Sequence, residues 1–589
     1  MNFFKSFLAS ILGTFVALLF IGIVFFMSLA GLATAVSSED TAIDAIPENS
    51  ILELDLDQPV FDNIPATQDF EQALGLGNKT LKFSEVVASI RKATTDDNIK
   101  GIDLKCQFPS MGWSQTQAIR KALREFKENG KFIYSHADFY SQKGYYLASV
   151  SDSIFLTPLG GIDFKGLAAE ILYYKDFQDE YGFTMEVVRL GKYKSAVEPY
   201  LESEMSEANR SQISELLQSI WSTASQEIQE SRGLTDATVD EIANKLAASL
   251  PEQAVDVGLI DAVIHASEYE NKLKEALQLG ADDRIKKAKL KQIKANNGLY
   301  IKGVRDRIAV IYAQGPVMYA EGSEEVIGQE VFLEAIEDAV NNRRVKAIVL
   351  RIDSPGGSAL SSEIIWNALI KAKEKKPLVV SMGNVAASGG YYLASAGDEI
   401  YANDMTITGS IGVFATLPNV RGFTETIGIN AEHVETHQNA LGYSVFEPLS
   451  GDVRMNIKEG IENVYRTFKS HVAAARDMSM DEVEAIAQGR VWTGKQALEN
   501  GLIDGTGGFE AALEAAARLA EIDQYNLISY PKIEPEFEDF LSMMTPFSQA
   551  KTALLNQLPK EVQSFVMNLP QPNSPPQIEV RLPYSVEIK

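Results

Sequence analysis

Across 589 residues there is one cysteine, Cys106. No disulfide can close within the chain, and no thiolate cluster is available for zinc or an iron–sulfur centre. Histidine is almost as scarce, with five residues: His136, His265, His433, His437 and His471. Only His433 and His437 have the i,i+4 spacing of a ligand pair, and one such pair leads us to expect no metal site. Basic charge is in deficit as well: 54 Lys and Arg stand against 80 Asp and Glu, a formal charge of −26. Nucleic acid is therefore not expected as a partner.

Charge of either sign is missing between Lys5 and Glu39. The stretch ILGTFVALLFIGIVFFMSLAGLATAV within it is long enough for a bilayer, which takes about 20 apolar residues, whereas a secretory signal core has about 7–15. An uncleaved transmembrane anchor over residues 7–36 is expected, with the lipid bilayer as partner. Ala33-Thr34-Ala35 resembles a signal cleavage site and supplies the alternative. Lys5 before the run, and Glu39 and Asp40 after it, orient the body to the extracytoplasmic side.

The rest is globular in composition, 45% hydrophobic and 23% charged, and too long for one core. It is a duplication. KGIDLKCQFPSMGWS from Lys100 matches KAIVLRIDSPGGSAL from Lys346, and ADFYSQKGYYLAS from Ala137 matches GNVAASGGYYLAS from Gly383, both at an offset of 246. Gly258-Leu259-Ile260-Asp261 repeats as Gly501-Leu502-Ile503-Asp504. The copies run over 50–265 and 307–521. Residues 266–306, rich in charge and helix formers, are expected to form a helical linker. The extension 522–589 contains LPQPNSPPQIEVRLP and is expected to be extended or irregular. Within each copy β-branched runs such as RIAVIYAQG and KPLVVSMG alternate with amphipathic helical stretches such as SSEIIWNALIKAKEK. This predicts α/β layers around a largely parallel sheet.

Chemistry is expected where strands lead into helices. In the second copy, Asp353-Ser354-Pro355-Gly356-Gly357 offers close backbone approach, and Ala386-Ala387-Ser388-Gly389-Gly390 sets a hydroxyl beside a glycine N–H. A nucleophile flanked by N–H donors suits acyl transfer. Ser388 could equally be a helix cap and the glycines turn residues. The first copy weighs against that: it keeps the frame but carries Ser110-Met111 and Gln142-Lys143 at these positions. Ser388 needs a base. His433 and His437 are candidates, but the first copy holds lysines in RLGKYKSAVEPYLESEMS where the second has none. A buried amine there, Lys192 or Lys194, could lose its proton near neutral pH.

SPGG, NVAASGGYYLAS, TGSIGVF and YKSAVEP together resemble the long, duplicated form of the signal peptide peptidase A family, peptidase family S49. The resemblance implies two tandem ClpP/crotonase-like domains behind the anchor and a serine endopeptidase that degrades cleaved signal peptides in or at the membrane. It implies Ser388 as nucleophile, Lys194 as general base and Ser410 as the residue that orients the lysine. Main-chain N–H groups of Gly356 or Gly357 and of Gly389 would form the oxyanion hole. No cofactor is implied. A homotetramer at the inner membrane is expected, with the body on the periplasmic side. A crotonase-like acyl-CoA enzyme and a catalytically vestigial scaffold or stress factor are the competing readings.

Overall fold

The computed structural model describes residues 45–66, 79–297, 303–533 and 579–581, with isolated positions at 13, 14, 20, 68 and 301. The expected anchor over 7–36 falls, but for three of those positions, outside the described residues. Among the described residues no helix is long and apolar enough to cross a membrane.

The first half contributes β1 (Ser50–Asp55), the short pair β2 (Val60–Phe61) and β3 (Leu81–Lys82), then β4 (Ile99–Lys105), β5 (Phe132–Tyr140), β6 (Ser153–Ile162), β7 (Thr184–Leu190), β8 (Ala262–Val263) and β9 (Lys286–Lys289). The second half begins with β10 (Arg307–Gln314), β11 (Val317–Met318), β12 (Ile327–Gly328), β13 (Val345–Ser354), β14 (Gly356–Ser358), β15 (Leu378–Ala387) and β16 (Glu399–Ala402). It continues with β17 (Ile407–Gly409), β18 (Val413–Asn419), β19 (Val491–Thr493), β20 (Gly505–Thr506), β21 (Asn526–Tyr530) and β22 (Glu579–Arg581).

The duplication is visible as two sheets of matching order. The first runs β8-β6-β5-β4-β1-β9, parallel throughout. The second runs β19-β17-β15-β13-β10-β21, with β16 beside β15 and β20 beside β16, and only its β17–β19 pair is antiparallel. Strands such as β10 and β13 read as continuous apolar runs because helices cover both faces, and their central residues are buried without alternation. Segment 266–306 does hold helices, Ala266–Ala276 and Leu290–Asn297, but β9 within it closes the edge of the first sheet. β21 does the same for the second sheet, beyond residue 521. Each copy therefore extends one strand further than its motifs indicate.

The halves share one continuous core: Ile308, Val310, Val349 and Val379 of the second half with Leu52, Ile102 and Leu123 of the first. The helix Trp113–Glu128 packs against β15 and the turn after β16, where Ser114 Oγ meets Thr406 Oγ1 at 3.0 Å and Asn403 donates to Ser114 O at 3.2 Å. At the centre of the junction the Arg351 guanidinium forks onto the Asp62 carboxylate at 3.0 and 3.1 Å, both side chains almost fully buried. A third sheet, ordered β12-β11-β14-β22-β18-β7, crosses between the halves. In it β7 runs antiparallel to β18 for seven residue pairs, from Leu190 opposite Val413 to Thr184 opposite Asn419.

Candidate active site

Ser388 ends the bend between β15 and the helix Gly389–Ala394. Its backbone sits at φ 57°, ψ −112°, a costly conformation for a residue with a Cβ. It is held there by Ser388 N–H donating to Gly409 O at 2.8 Å and by its own carbonyl accepting from Tyr392 N–H at 2.8 Å. The hydroxyl makes no capping bond. It lies instead 2.8 Å from Lys194 Nζ. The lysine amine also contacts Ser410 O at 3.1 Å and Ser410 Oγ at 3.0 Å, and Lys194, Ser388 and Ser410 are all fully buried. Ser410 too has a positive φ, 53°, which turns both its oxygens to the amine.

The two lysines left open by spacing differ sharply in place. Lys192 is exposed, its amine over the ring of Tyr193, while Lys194 points into the junction. The segment that presents Lys194 is clamped by the second half: Tyr193 N–H donates to Gln488 O at 2.9 Å, and Gly489 N–H to Ile411 O at 2.8 Å. Gln212 of the first half donates to Tyr193 O at 3.1 Å and to Ser195 Oγ at 2.8 Å, fixing the turn from the other side. Motif reading missed Gly489. A Cβ there would lie 2.6–2.7 Å from Lys194 Cβ, Cα and N, so this glycine is the floor on which the lysine rests. Its only sequence signal is a glycine, in no recognised motif.

The PGG turn forms β14. Gly356 has φ 92° and Gly357 φ 154°, and the helix led by Ser388 packs against the turn. Gly356 N–H donates to Ser354 Oγ at 3.1 Å. A Cβ on Gly357 would meet Val317 O at 2.0 Å, so β11 holds that glycine tightly. Asp353, just before the turn, ties the two loops together: it accepts from Val385 N–H at 2.9 Å and Asn384 Nδ2 at 3.1 Å. Burial, and then the nearby Asp62 carboxylate, push its acid up to about 6. His433 and His437 are both exposed in the loop after the helix Arg421–Thr426. Among the described residues no cluster of three or more His, Cys, Asp or Glu could hold a metal.

The first copy shows what the same frame does without the hydroxyl. Ser141 caps the helix Gln142–Ala148 by accepting from Gly144 N–H at 3.2 Å. Gln142, in the place of Ser388, accepts from Lys165 and Gly166 N–H at 2.9 Å each and donates to Gly166 O at 2.7 Å. All the polar atoms of its amide oxygen and nitrogen are used to seal a loop.

The comparisons with known proteins give the class: this is a serine peptidase. The chain belongs to peptidase family S49, whose model matches residues 125–280 and 370–523. It is 32% identical to Protease 4 of Haemophilus influenzae over 92% of this chain and 89% of that protein. It is 34% identical to Protease 4 of Salmonella typhi over 90% and 86%. It is 31% identical to the chloroplastic serine protease SPPA of Arabidopsis thaliana over 79% and 70%. Membership in a peptidase family removes the acyl-CoA reading.

Proposed function

We propose that the chain is a membrane-anchored endopeptidase in which Ser388 of the second copy is activated by Lys194 of the first, and that it degrades apolar peptides such as cleaved signal peptides. The observation that carries this reading is the 2.8 Å approach of a fully buried amine to a fully buried hydroxyl. A neutral amine has two N–H donors and one lone pair. Ser410 O accepts only, so with Ser410 Oγ it takes both donors, and the lone pair is left for the Ser388 O–H. Burial favours the neutral amine, because desolvation penalises its charged form.

Chemistry then follows in order. The Ser388 proton passes to Lys194 Nζ as Oγ attacks the peptide carbonyl carbon, and the oxyanion is received by main-chain N–H groups. Gly357 and Gly389 are assigned that role, since Gly356 already donates to Ser354. Lys194 returns the proton to the leaving amine as the C–N bond breaks, leaving an ester on Ser388. Water then loses a proton to Lys194 Nζ as it adds to the ester carbonyl, and the lysine returns that proton to Ser388 Oγ as the C–O bond breaks, releasing the acid and restoring the serine. Anchoring over 7–36 would hold this site on the periplasmic face of the inner membrane, near apolar peptide left in the bilayer, and a homotetramer completes the reading.

The experiment is turnover of an apolar peptide by full-length Ser388→Ala, Lys194→Arg and Lys192→Ala. The first two should be inactive, Arg because guanidinium stays protonated, and the third near wild type. Activity in Lys194→Arg would overturn the dyad.

A further inference from the structure

The parallel pairing of β13 with β15 breaks just before both the PGG turn and Ser388. Ile352 lies opposite Met382 and Ser354 opposite Ala386, so Asp353 alone stands against Gly383, Asn384 and Val385. Where a ladder is interrupted, its backbone groups need other partners. The Asp353 carboxylate supplies them: Oδ1 accepts from Val385 N–H at 2.9 Å and Oδ2 from Asn384 Nδ2 at 3.1 Å. Asn384 in turn reaches the first half, where its Oδ1 accepts from Gln115 N–H at 3.2 Å. Gln115 lies in the first turn of the helix Trp113–Glu128, where main-chain donors have no partner within the helix. The fit is close: a Cβ on Gly112, the residue before that helix, would lie 2.2–2.8 Å from the Asn384 amide.

Three hydrogen bonds in series therefore join the oxyanion turn, the nucleophile loop and the first half. Asp353 stands three residues before Gly356, and Val385 three before Ser388. Movement at either end of the series passes to the turn or to the serine. The first copy, which lacks the serine and the paired glycines, lacks this pair too. At the offset of 246, Gln107 stands in the place of Asp353 and Asp138 in the place of Asn384. There Asp138 accepts from Thr157 Oγ1 at 2.6 Å, and Gln107 offers its carbonyl to Ser141 Oγ and N–H.

We propose that Asp353 and Asn384 are positioning residues for the peptidase reaction, a strut that sets the PGG turn at its working distance from Ser388 and ties both to the half that carries Lys194. This rests on the reading of Ser388 and Lys194 as the reacting pair. The strut needs a carboxylate, because both oxygens of Asp353 face donors. Burial and the neighbouring Asp62 carboxylate hold its acid up at about 6, opposed by Val385 N–H, the Arg351 guanidinium and the Asn384 amide. At pH 8 the charged form is present.

Exchanging the two residues tests the strut. In Asp353→Asn two amide nitrogens face each other, and in Asn384→Asp two carboxylates do. In the double variant Asp353→Asn/Asn384→Asp, the amide at position 353 accepts from Val385 N–H and donates to the carboxylate at position 384. That carboxylate still accepts from Gln115 N–H, so all three bonds return. The full-length chain is assayed at pH 8 for kcat and KM on an apolar peptide and for labelling of Ser388 by a fluorophosphonate. Each single variant should lose about 10²-fold in kcat, the cost of misplacement by about 1 Å, with KM near wild type. The double variant should be faster than either single. Unfolding temperatures are read alongside, with Gln142→Ala as a destabilised variant that keeps its kcat. Asn384→Ala, which removes the link without opposing like groups, replaces a single variant that does not unfold cooperatively. Wild-type kcat in the single variants, a loss confined to KM, or a double variant that is no faster than the slower single overturns the proposal. A double variant that fails to fold where both singles fold overturns it equally. If the wild-type chain cleaves no peptide, the functional reading fails instead, and the order of labelling rates still reports the strut.

Discussion

Gly489→Ala isolates the placement of the lysine from its chemistry. The new methyl would lie 2.6–2.7 Å from Lys194 Cβ, Cα and N, where ordinary contact begins near 3.4 Å, and the glycine's φ is +80°. The main chain of Lys194 must then retreat by about 0.7 Å, because the contacts are to backbone and to Cβ rather than to a flexible end. Applied at the amine, that shift turns a 2.8 Å contact with Ser388 Oγ into one of about 3.5 Å, outside hydrogen-bond range. Misplacement of about 1 Å costs on the order of 10²-fold in rate. Stability should fall as well, by about 1–2 kcal/mol for the left-handed backbone and about 1–3 kcal/mol for overpacking. Gly428→Ala is the control: its φ is +83°, but nothing lies within 4 Å of its Cβ position. The assay is peptide turnover beside thermal unfolding for both variants. Gly489→Ala should lose activity far beyond its loss of stability, while Gly428→Ala keeps its rate. Equal rates in the two variants would refute the argument that Gly489 sets the lysine's position.

Three further outcomes follow from the junction and from the first copy. Asp353 titrates near 6 in the folded chain against a usual 3.8, raised chiefly by burial; the folded state binds its proton more tightly, so this stabilising contribution is present at low pH and lost as pH rises from about 4 through 6, by about 3 kcal/mol. Asp353→Asn should flatten that part of the pH dependence of the unfolding temperature, and an unchanged slope would contradict it. Gln142→Ala should leave turnover intact while costing about 1–3 kcal/mol, since Lys165 and Gly166 N–H lose their acceptor. Asp62→Ala should cost about 3–5 kcal/mol by leaving the Arg351 charge buried without its partner, measured by chemical unfolding.

Much of the site was legible because duplication supplies its own control. The frame shared by Ala137–Ser149 and Gly383–Ser395 made the difference at Gln142 and Ser388 stand out, and Lys192 and Lys194 stood out together because their counterpart stretch has no lysine; only the family resemblance chose Lys194 between them. What sequence could not carry was pairing between distant segments. The β7–β18 pairing, which leads the chain into the turn that carries Lys194, joins residues more than 200 apart and rests on no motif. The Asp62–Arg351 fork is equally non-local, 289 residues apart. β9 was read as linker because Lys286-Lys287-Ala288-Lys289 looks like a solvated charge run; as an edge strand it buries only Ala288. β22 was hidden by the prolines around it, which mark an irregular tail as readily as they delimit a short strand.

Activation of a hydroxyl of one copy by an amine of the other can be read from the reactivity of the serine itself. A serine-directed fluorophosphonate, followed by mass mapping of the modified peptide across pH 6–10, reads the nucleophilicity of Ser388 without any choice of substrate. In the wild-type chain the label should fall on Ser388, with a rate that rises with pH as the lysine loses its proton. Lys194→Met and Lys194→Arg, provided that each unfolds cooperatively near the wild-type temperature, should be labelled at least about 10²-fold more slowly, within the range a general base supplies. Labelling of Ser388 at the wild-type rate in either variant, or a label on another serine, would contradict that activation.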